Sequence, residues 1–358
     1  MPSSSRECRR WMLYALGGGM GHLTRAVALA RAAVARSKEK GQRHPPTQIC
    51  LLTNSPFAAA LPIDAELGDG HRIVSLRPTL GRDETATRVT DHLQSSDFDV
   101  LVVDTFPRGL GGELFKLLPD LTCHKILVHR DLNPRYIDQF GLSDLVNQFD
   151  RILVPGERAP FDSLSHAVWT APWLIRDDHE LLSPAESRQL LEVESDSLPV
   201  VAVIGCGKDA EVAQMRLLAR QLEDQFQSVA TIRFVTPNFD GAADHSGNSS
   251  SGVKSISIWP FFQAIRGVCL IVGSGGYNIV QEARATGTRL IGLPRRRLYD
   301  NQRRRLDSYG IAAEVGDIQR QVSDALASYS ESPLRSNASY QNGVHKAVET
   351  IESLFVRD

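Results

Sequence analysis

Short runs of β-branched and other apolar residues alternate along this chain with longer segments of helical periodicity. In the first half, the apolar runs that predict strands lie at residues 11–16, 48–53, 71–76, 98–104, 125–129 and 151–154. In the second half, they lie at residues 199–204, 230–235, 255–259, 268–272 and 289–293. Such alternation is typical of βαβ units, whose parallel strands are covered by helices. The pattern therefore predicts an α/β protein with parallel sheets.

The alternation breaks once, in a charged segment that contains Pro184. This break predicts two domains, in agreement with the chain length of 358 residues. We expect a first Rossmann-like domain at residues 1–174 and a linker region at residues 175–198. A second such domain should follow at residues 199–338. The last segment, residues 339–358, predicts a helix that packs back on the first domain.

Composition narrows the classes of function. The formal net charge of -2 gives no domain-wide basic field for nucleic acid. The five cysteines are scattered without a C-x-x-C pair, which argues against a structural zinc site and for reduced, packed thiols. No apolar run is long enough to span a bilayer, and the polar N-terminus does not resemble a signal peptide. We expect a cytoplasmic protein.

A glycine-rich loop, GGGMGH at residues 17–22, joins the first predicted strand to the first predicted helix. Glycines such as Gly18, Gly19 and Gly21 let a ligand approach the backbone closely, beside the free N–H groups of a helix N-terminus. A dinucleotide fingerprint does not fit, because His22 takes the place of the third glycine. The second strand also ends without an acidic residue for a ribose.

His22 stands at the start of this helix, where it is either a capping or exposed histidine or a general base. A base needs a carboxylate to orient it, and Asp104 ends the apolar strand FDVLVVD. Strand carboxyl ends face the ligand crevice in open α/β sheets, although Asp104 could equally cap the following loop. His129 and Arg130 follow another strand, and we expect them to line the same side.

The second half contains a strand that runs into a Gly/Ser loop and then a helix, at residues 272–282. A loop of this kind can hold a diphosphate on Ser274, Gly275 and Gly276, with Asn278 in the first helical turn. Glu282, farther along the helix, is either a surface residue or the acceptor of hydrogen bonds from two ribose hydroxyls.

A second polar loop follows the last predicted strand. Asp300, Asn301 and Gln302 can present hydrogen-bonding groups to a sugar. Seven arginines lie between Arg289 and Arg305, either as a solvated helix face or as contacts to phosphates.

These residues resemble a known family. The segment GGGMGHLTRAVALA (17–30) resembles the N-terminal signature of MurG-type and related GT-B glycosyltransferases. The segment VGSGGYNIVQEARATGTRLIGLPRRRLYDNQRRR (272–305) resembles their donor-binding signature. The resemblance implies a GT-B fold, in which two Rossmann-like domains with parallel sheets face each other across a cleft. The first domain would be the acceptor side, and the second would bind the nucleotide-sugar donor.

The resemblance also implies roles for single residues. Glu282 would bind the ribose, and Asn301 and Gln302 would approach the donor sugar. The segment at residues 258–262, with Trp259 and Phe261, resembles the stretch whose backbone reads the base, usually uracil. Gly205 to Lys208 resemble the loop that closes on the phosphates. His22 and Asp104 match a base and its carboxylate in some members.

The implied activity is that of a hexosyltransferase that moves a sugar, with inversion, from a nucleotide-sugar to a hydroxyl acceptor. The donor is expected to be a UDP-sugar, and no metal or separate cofactor is expected, since no Asp-x-Asp pair suited to a metal is found. Two alternatives stay open: a GT-B-fold nucleotide-sugar epimerase or hydrolase, and a non-catalytic nucleotide-sugar-binding protein. The expected partners are a small-molecule donor and an acceptor of unassigned identity, with no nucleic acid and with peripheral membrane contact left open.

Overall fold

The structure is a computed structural model that describes residues 8–17, 19–39, 45–59, 61–194, 198–237, 252–331 and 339–356. The chain divides into two compact units. Unit 1 comprises Met1–Ile175 together with Asn342–Asp358, and unit 2 comprises Arg176–Gln341. The segment expected to link two domains, residues 175–198, therefore falls almost wholly within unit 2.

Within its described residues, unit 1 contains a seven-stranded parallel sheet of order β3-β2-β1-β4-β5-β6-β7. The strands are β1 (Arg9–Ala15), β2 (Thr47–Thr53), β3 (Arg72–Ser75), β4 (Val100–Asp104), β5 (His124–Val128), β6 (Arg151–Pro155) and β7 (Ala167–Thr170). The α-helices in the first segment of unit 1 are α1 (Met20–Glu39), α2 (Ile63–Leu67), α3 (Arg82–Ser95), α4 (Glu113–Leu117), α5 (Pro134–Phe140) and α6 (Leu142–Val146). Because β1 has β2 on one side and β4 on the other, the connections diverge at the carboxyl ends of β1 and β4.

Unit 2 repeats this plan with a five-stranded parallel sheet of order β10-β9-β8-β11-β12 in its described residues. The strands are β8 (Val200–Ile204), β9 (Thr231–Thr236), β10 (Lys254–Ser257), β11 (Leu270–Ser274) and β12 (Arg289–Leu293). The helices are α7 (Pro184–Leu190), α8 (Asp209–Phe226), α9 (Tyr277–Thr286), α10 (Gln302–Asp307) and α11 (Ile318–Glu331). The two sheets confirm the prediction of an α/β fold with parallel strands.

Helix α8 shows how the sequence pattern produces the core of unit 2. Its buried residues Met215, Leu218, Leu222 and Phe226 recur every three or four positions, so they form one face of the helix. That face packs in a cluster with apolar side chains of the sheet, including Phe234.

The last helix, α12 (Gly343–Ser353), belongs to unit 1 and contacts α1, β6 and β7. Asn342 precedes it and exchanges two hydrogen bonds with the backbone of Leu174, at 3.1 and 2.9 Å. The amide of Gly343 donates to the carbonyl of Pro172. Arg36 of α1 pairs with Glu352 at 2.8 Å, so backbone and side-chain contacts both tie α12 to unit 1.

None of the helices in the described ranges combines the length and the apolar content that crossing a bilayer requires.

Candidate functional site

The divergence of connections in the first sheet brings His22 and Asp104 together. His22 lies in the first turn of α1, which follows β1, and Asp104 is the last residue of the neighbouring strand β4. The His22 Nδ1 lies 2.6 Å from Asp104 Oδ2. Because β1 and β4 are neighbours in the sheet, the fold brings the histidine after β1 and the carboxylate at the end of β4 to the same edge.

Arg25, which the sequence analysis did not single out, completes this cluster. Its Nε donates to Asp104 Oδ1 at 3.1 Å and its Nη2 donates to Asp104 Oδ2 at 2.7 Å. The same Nη2 donates to Thr105 Oγ1 at 3.3 Å. Arg25 follows His22 by three residues, so both side chains lie on one face of α1. An arginine among the apolar residues of LTRAVALA was the signal that could have revealed it.

Burial favours the neutral form of His22, whereas Asp104 is held ionised. Burial alone raises the pKa of Asp104, but Arg25 and His22 outweigh it and hold that pKa well below its ordinary value. Burial lowers the pKa of His22, and the attraction of Asp104 does not cancel this effect. A carboxylate only accepts hydrogen bonds, so the proton of neutral His22 belongs on Nδ1. The lone pair of Nε2 is then left to accept a proton.

The glycine that matters sterically is Gly17. A Cβ at Gly17 would overlap the ring of His22, and the Gly17 amide donates to Asn54 Oδ1 at 2.9 Å. A Cβ at Gly19 would meet open space, and one at Gly21 would make only an ordinary contact with Arg25. Gly18, which was also predicted to belong to this loop, lies outside the described residues.

The loop that follows Asp104 is held in an unusual conformation. Thr105 has a φ of 74°, which is costly for a β-branched residue and occurs mostly at functional or otherwise constrained positions. Farther along, the segment between Asp104 and α4 contacts β1. The buried Tyr14 hydroxyl of β1 donates to Glu113 at 2.5 Å and accepts from the amide of Leu110. The other carboxylate oxygen of Glu113 accepts from the amide of Gly111. These bonds fix the backbone near Leu110 and Gly111, in the segment between Asp104 and α4.

His129 differs from the expectation that it lines the acceptor side. Its side chain is fully buried, packs 5.2 Å from the ring of Phe161 and accepts the Phe161 amide on Nε2. His129 directly follows β5, and its amide still donates to the carbonyl of Leu153 in the neighbouring strand β6. Arg130 is also buried and pairs with Glu157 at 3.4 Å, but its charge helps to lower the pKa of His22.

The burial of His129 predicts acid sensitivity in unit 1. Burial lowers the pKa of His129 to about 4, so the unfolded chain binds the proton more readily. The free energy of unfolding is therefore undiminished by His129 above the pKa of about 6.5 that this residue has in the unfolded chain. It decreases as the pH falls from there towards 4. We expect His129→Gln, which can still accept the Phe161 amide, to remove about 2 kcal/mol of the stability difference between pH 7 and pH 5.

Urea unfolding followed by tryptophan fluorescence measures this effect. A Trp259→Phe background leaves Trp11, Trp169 and Trp173 as reporters, all of which lie in unit 1. An equal loss of stability between pH 7 and pH 5 in both proteins would rule out His129 as the cause.

In unit 2, the connections diverge at the carboxyl ends of β8 and β11. The loop after β8 contains Gly205 and the exposed Lys208, which precedes α8. A Cβ at Gly205 would overlap the ring of Phe234, so only glycine fits there. The loop after β11 leads through Ser274 and the helix cap Gly276 into α9.

Ser274, Gly276 and Asn278 are half-buried at the N-terminus of α9, whereas Gly275 is buried. The carbonyl of Gly275 accepts from Arg305 at 2.9 Å. A Cβ at Gly275 would crowd Leu306 at 2.8 Å, so close packing of α10 also demands glycine at this position.

Glu282 is a buried acidic residue, with 7% exposure. Within the described residues its carboxyl group has no hydrogen-bond or ion-pair partner, and burial raises its pKa to about 8. Its charge acts on the thiol of Cys206, in the loop after β8. A buried acid without a partner is costly, so this group is poised to receive hydrogen-bond donors from a ligand.

The three polar residues expected to face a donor sugar all have partners within unit 2. Asp300 pairs with Arg305 at 2.7 Å. Asn301 caps α10 by accepting the amide of Arg304 at 3.1 Å. Gln302 is buried and accepts the amide of Arg295 at 3.0 Å. These side chains organise the loop between β12 and α10 in the structure.

Trp259 and Phe261, expected at the base-binding segment, are both buried just before and within a short 3-10 helix, Phe261–Gly267. In the described part of the chain, no group of three or more His, Cys, Asp or Glu side chains is placed to hold a metal ion.

Comparisons with known proteins now add to this geometry. No protein-family model matches the chain, and no curated protein matches it. Solved structures do match over nearly the whole length. The glycosyltransferase of kitacinnamycin superposes with a TM-score of 0.59 at 15% identity, covering 97% of this chain and 99% of its own. The UDP-GlcNAc 2-epimerase from Neisseria meningitidis bound to UDP-GlcNAc gives 0.61 at 12% identity, covering 98% and 100%.

MurG from Acinetobacter baumannii also matches, with a TM-score of 0.55 at 13% identity and coverage of 97% and 99%. Identities this low establish the fold and leave the activity to be argued from the residues. Two parallel α/β sheets and these neighbours together show that the chain has the two-domain GT-B fold of MurG-like proteins.

Proposed function

We propose that this protein is a glycosyltransferase that moves a sugar, with inversion, from a UDP-sugar to a hydroxyl group of an acceptor. The observation that carries the proposal is the His22–Asp104 pair, with its 2.6 Å contact and its buried Arg25. A neutral histidine whose Nδ1 is engaged by a carboxylate is a ready general base. Deprotonation of an acceptor hydroxyl is the step that sugar transfer requires of such a base.

In the proposed reaction, His22 Nε2 takes the proton of the acceptor hydroxyl as its oxygen attacks the anomeric carbon. The bond from that carbon to the diphosphate breaks, and its electron pair leaves with the diphosphate. Asp104 stabilises the imidazolium that forms, while Arg25 keeps Asp104 ionised and in place. The N-terminus of α9, at Gly276, offers amide groups to the departing charge.

Donor binding is proposed for unit 2. The partnerless carboxyl of Glu282 would accept hydrogen bonds from ribose hydroxyls, and Ser274, Gly276 and Asn278 would surround the diphosphate. Trp259 and Phe261 are proposed to bring their backbone to the base. Because Asp300, Asn301 and Gln302 already have protein partners, we propose that they shape the sugar pocket through the loop that they organise.

Titration of UDP by calorimetry tests this assignment. We expect micromolar binding to the wild-type protein and a loss of about tenfold or more in Glu282→Ala, because a buried ligand hydrogen bond to a charged group is removed. Ribose hydroxyls stabilise the ionised carboxylate, whose pKa is otherwise about 8. Binding at pH 7 should therefore release up to about one proton, visible as a dependence of the heat on the buffer.

Glu186→Ala is the matched control, since this carboxylate is exposed and only caps α7. If no uridine nucleotide bound, the UDP assignment would be wrong.

The similarity to an epimerase bound to UDP-GlcNAc supports a second candidate, a nucleotide-sugar epimerase. An epimerase changes the donor without any acceptor. Proton NMR of UDP-GlcNAc incubated with the protein alone separates the two: a transferase leaves the sugar configuration unchanged, and an epimerase inverts one carbon.

A further inference from the structure

In unit 2, an ion pair joins the loop after β12 to the first turn of α8. In the sheet, β11 lies between β8 and β12, so the loops after β8 and β12 stand on either side of the loop that begins α9. Arg297, in the loop after β12, donates from Nη1 and Nη2 to the two carboxylate oxygens of Glu211, in the first turn of α8. The two contacts measure 2.6 and 2.8 Å.

The surroundings of this pair place it near the proposed nucleotide site. The charges of Glu211, Arg297 and Glu282 all act on the pKa of the Cys206 thiol, in the loop after β8. Glu282 is the buried carboxyl without a partner in the described residues. The side chains of Arg297 and Glu211 are 28% and 17% exposed, which leaves the pair within reach of a ligand.

Glu211 occupies a set of donors that suits a phosphate. Besides both N–H groups of the Arg297 fork, it accepts the backbone amide of Lys208 at 3.0 Å. A planar guanidinium binds a phosphate through two parallel N–H groups, as it binds a carboxylate. The fork of Arg297 could therefore serve an anionic ligand once Glu211 releases it.

We propose that Arg297 exchanges Glu211 for the diphosphate of the bound nucleotide, so that Glu211 is an internal competitor of the donor. This inference rests on the proposed nucleotide-binding function and adds a specific phosphate ligand to it. On exchange, Glu211 keeps its bond to the Lys208 amide and turns its other oxygen towards water, which its partial exposure allows.

The exchange makes opposite predictions for the two partners. Arg297→Met keeps the aliphatic stem and removes the fork, so we expect the Kd of UDP to rise about tenfold or more. Glu211→Gln keeps the capping bond, since glutamine serves at this helix position, but removes the competing charge. The Kd of UDP should then fall by about threefold to tenfold. Arg296→Met, at an exposed neighbour, is the matched control with an unchanged Kd.

Calorimetry with UDP and UMP decides whether Arg297 leaves Glu211 when the nucleotide binds or keeps this ion pair. Exchange requires that Arg297→Met shrink the advantage of UDP over UMP while Glu211→Gln enlarges it. If both variants weakened UDP binding to the same extent, Glu211 would only position Arg297, and the exchange would be refuted. Unchanged binding in both variants, with loss in Glu282→Ala, would also refute the exchange and would leave the proposed function standing.

Inorganic pyrophosphate separates this inference from the proposed function. If no uridine nucleotide bound the wild-type protein, a rise in Tm with pyrophosphate that disappears in Arg297→Met would still support the exchange for another diphosphate. The absence of any such rise would refute it.

Discussion

Replacing His22 with alanine is expected to lower kcat by about 10²–10⁴-fold, the usual contribution of a positioned general base. The Kd of UDP should stay unchanged, because His22 belongs to unit 1 and the proposed nucleotide contacts belong to unit 2. Acceptor-dependent release of UDP at saturating donor measures the loss. The wild-type kcat/KM should fall on the acidic side as His22 gains a proton, with a midpoint below the ordinary value of about 6.5, since burial lowers this pKa.

His124→Ala is the matched control for this experiment. His124 also faces an aspartate of unit 1, with its Nδ1 3.7 Å from Asp150, but both side chains are more than one-third exposed. We expect kcat to be unchanged in this variant. An equal kcat in His22→Ala and the wild-type protein would show that His22 is not the base of the transfer reaction.

Replacing Gly343 with alanine is expected to destabilise unit 1 by about 3–5 kcal/mol, near the upper end for single substitutions. A Cβ at this position would overlap the backbone carbonyl of Ala171, which cannot rotate away as a side chain would. The start of α12 must then shift, and the bonds from Gly343 to Pro172 and from Asn342 to Leu174 are lost with it.

Urea unfolding in the Trp259→Phe background measures this loss in unit 1. Gly81→Ala is the control, because a Cβ there meets nothing within 4 Å and its φ of -62° suits alanine. We expect a change below about 1 kcal/mol in the control. Similar unfolding midpoints for Gly343→Ala and Gly81→Ala would show that α12 contributes little to unit 1.

The sequence predicted the long elements of both sheets because their periodicity is a local property. Strand β12 was predicted with its observed bounds, residues 289–293. Strand β7 was not predicted, since its four residues include Trp169, which is 43% exposed at the sheet edge. Helices of one or two turns, such as α4 and α6, are too short for periodicity to appear.

The candidate site was predictable only where strand order determines it. His22 and Asp104 follow neighbouring strands, so the α/β pattern already places them at one edge of the sheet. Arg25 was missed because an arginine in a helix is usually exposed, and its burial depends on a partner 79 residues away. The sequence predicted that Asp300 and Gln302 bind a sugar but did not predict their contacts with Arg305 and Arg295. These contacts depend on the folded conformation of the loop.

The return of α12 to unit 1 has a consequence for synthesis on the ribosome. Unit 1 is assembled from two segments that are separated in the chain by the whole of unit 2. When residues 1–175 emerge, the surfaces of α1, β6 and β7 that α12 covers are still bare. Unit 2 is continuous and can fold while the chain is being made, whereas unit 1 must wait until Asn342–Asp358 have been translated. A nascent chain stalled before Asn342 should therefore present these apolar surfaces to chaperones.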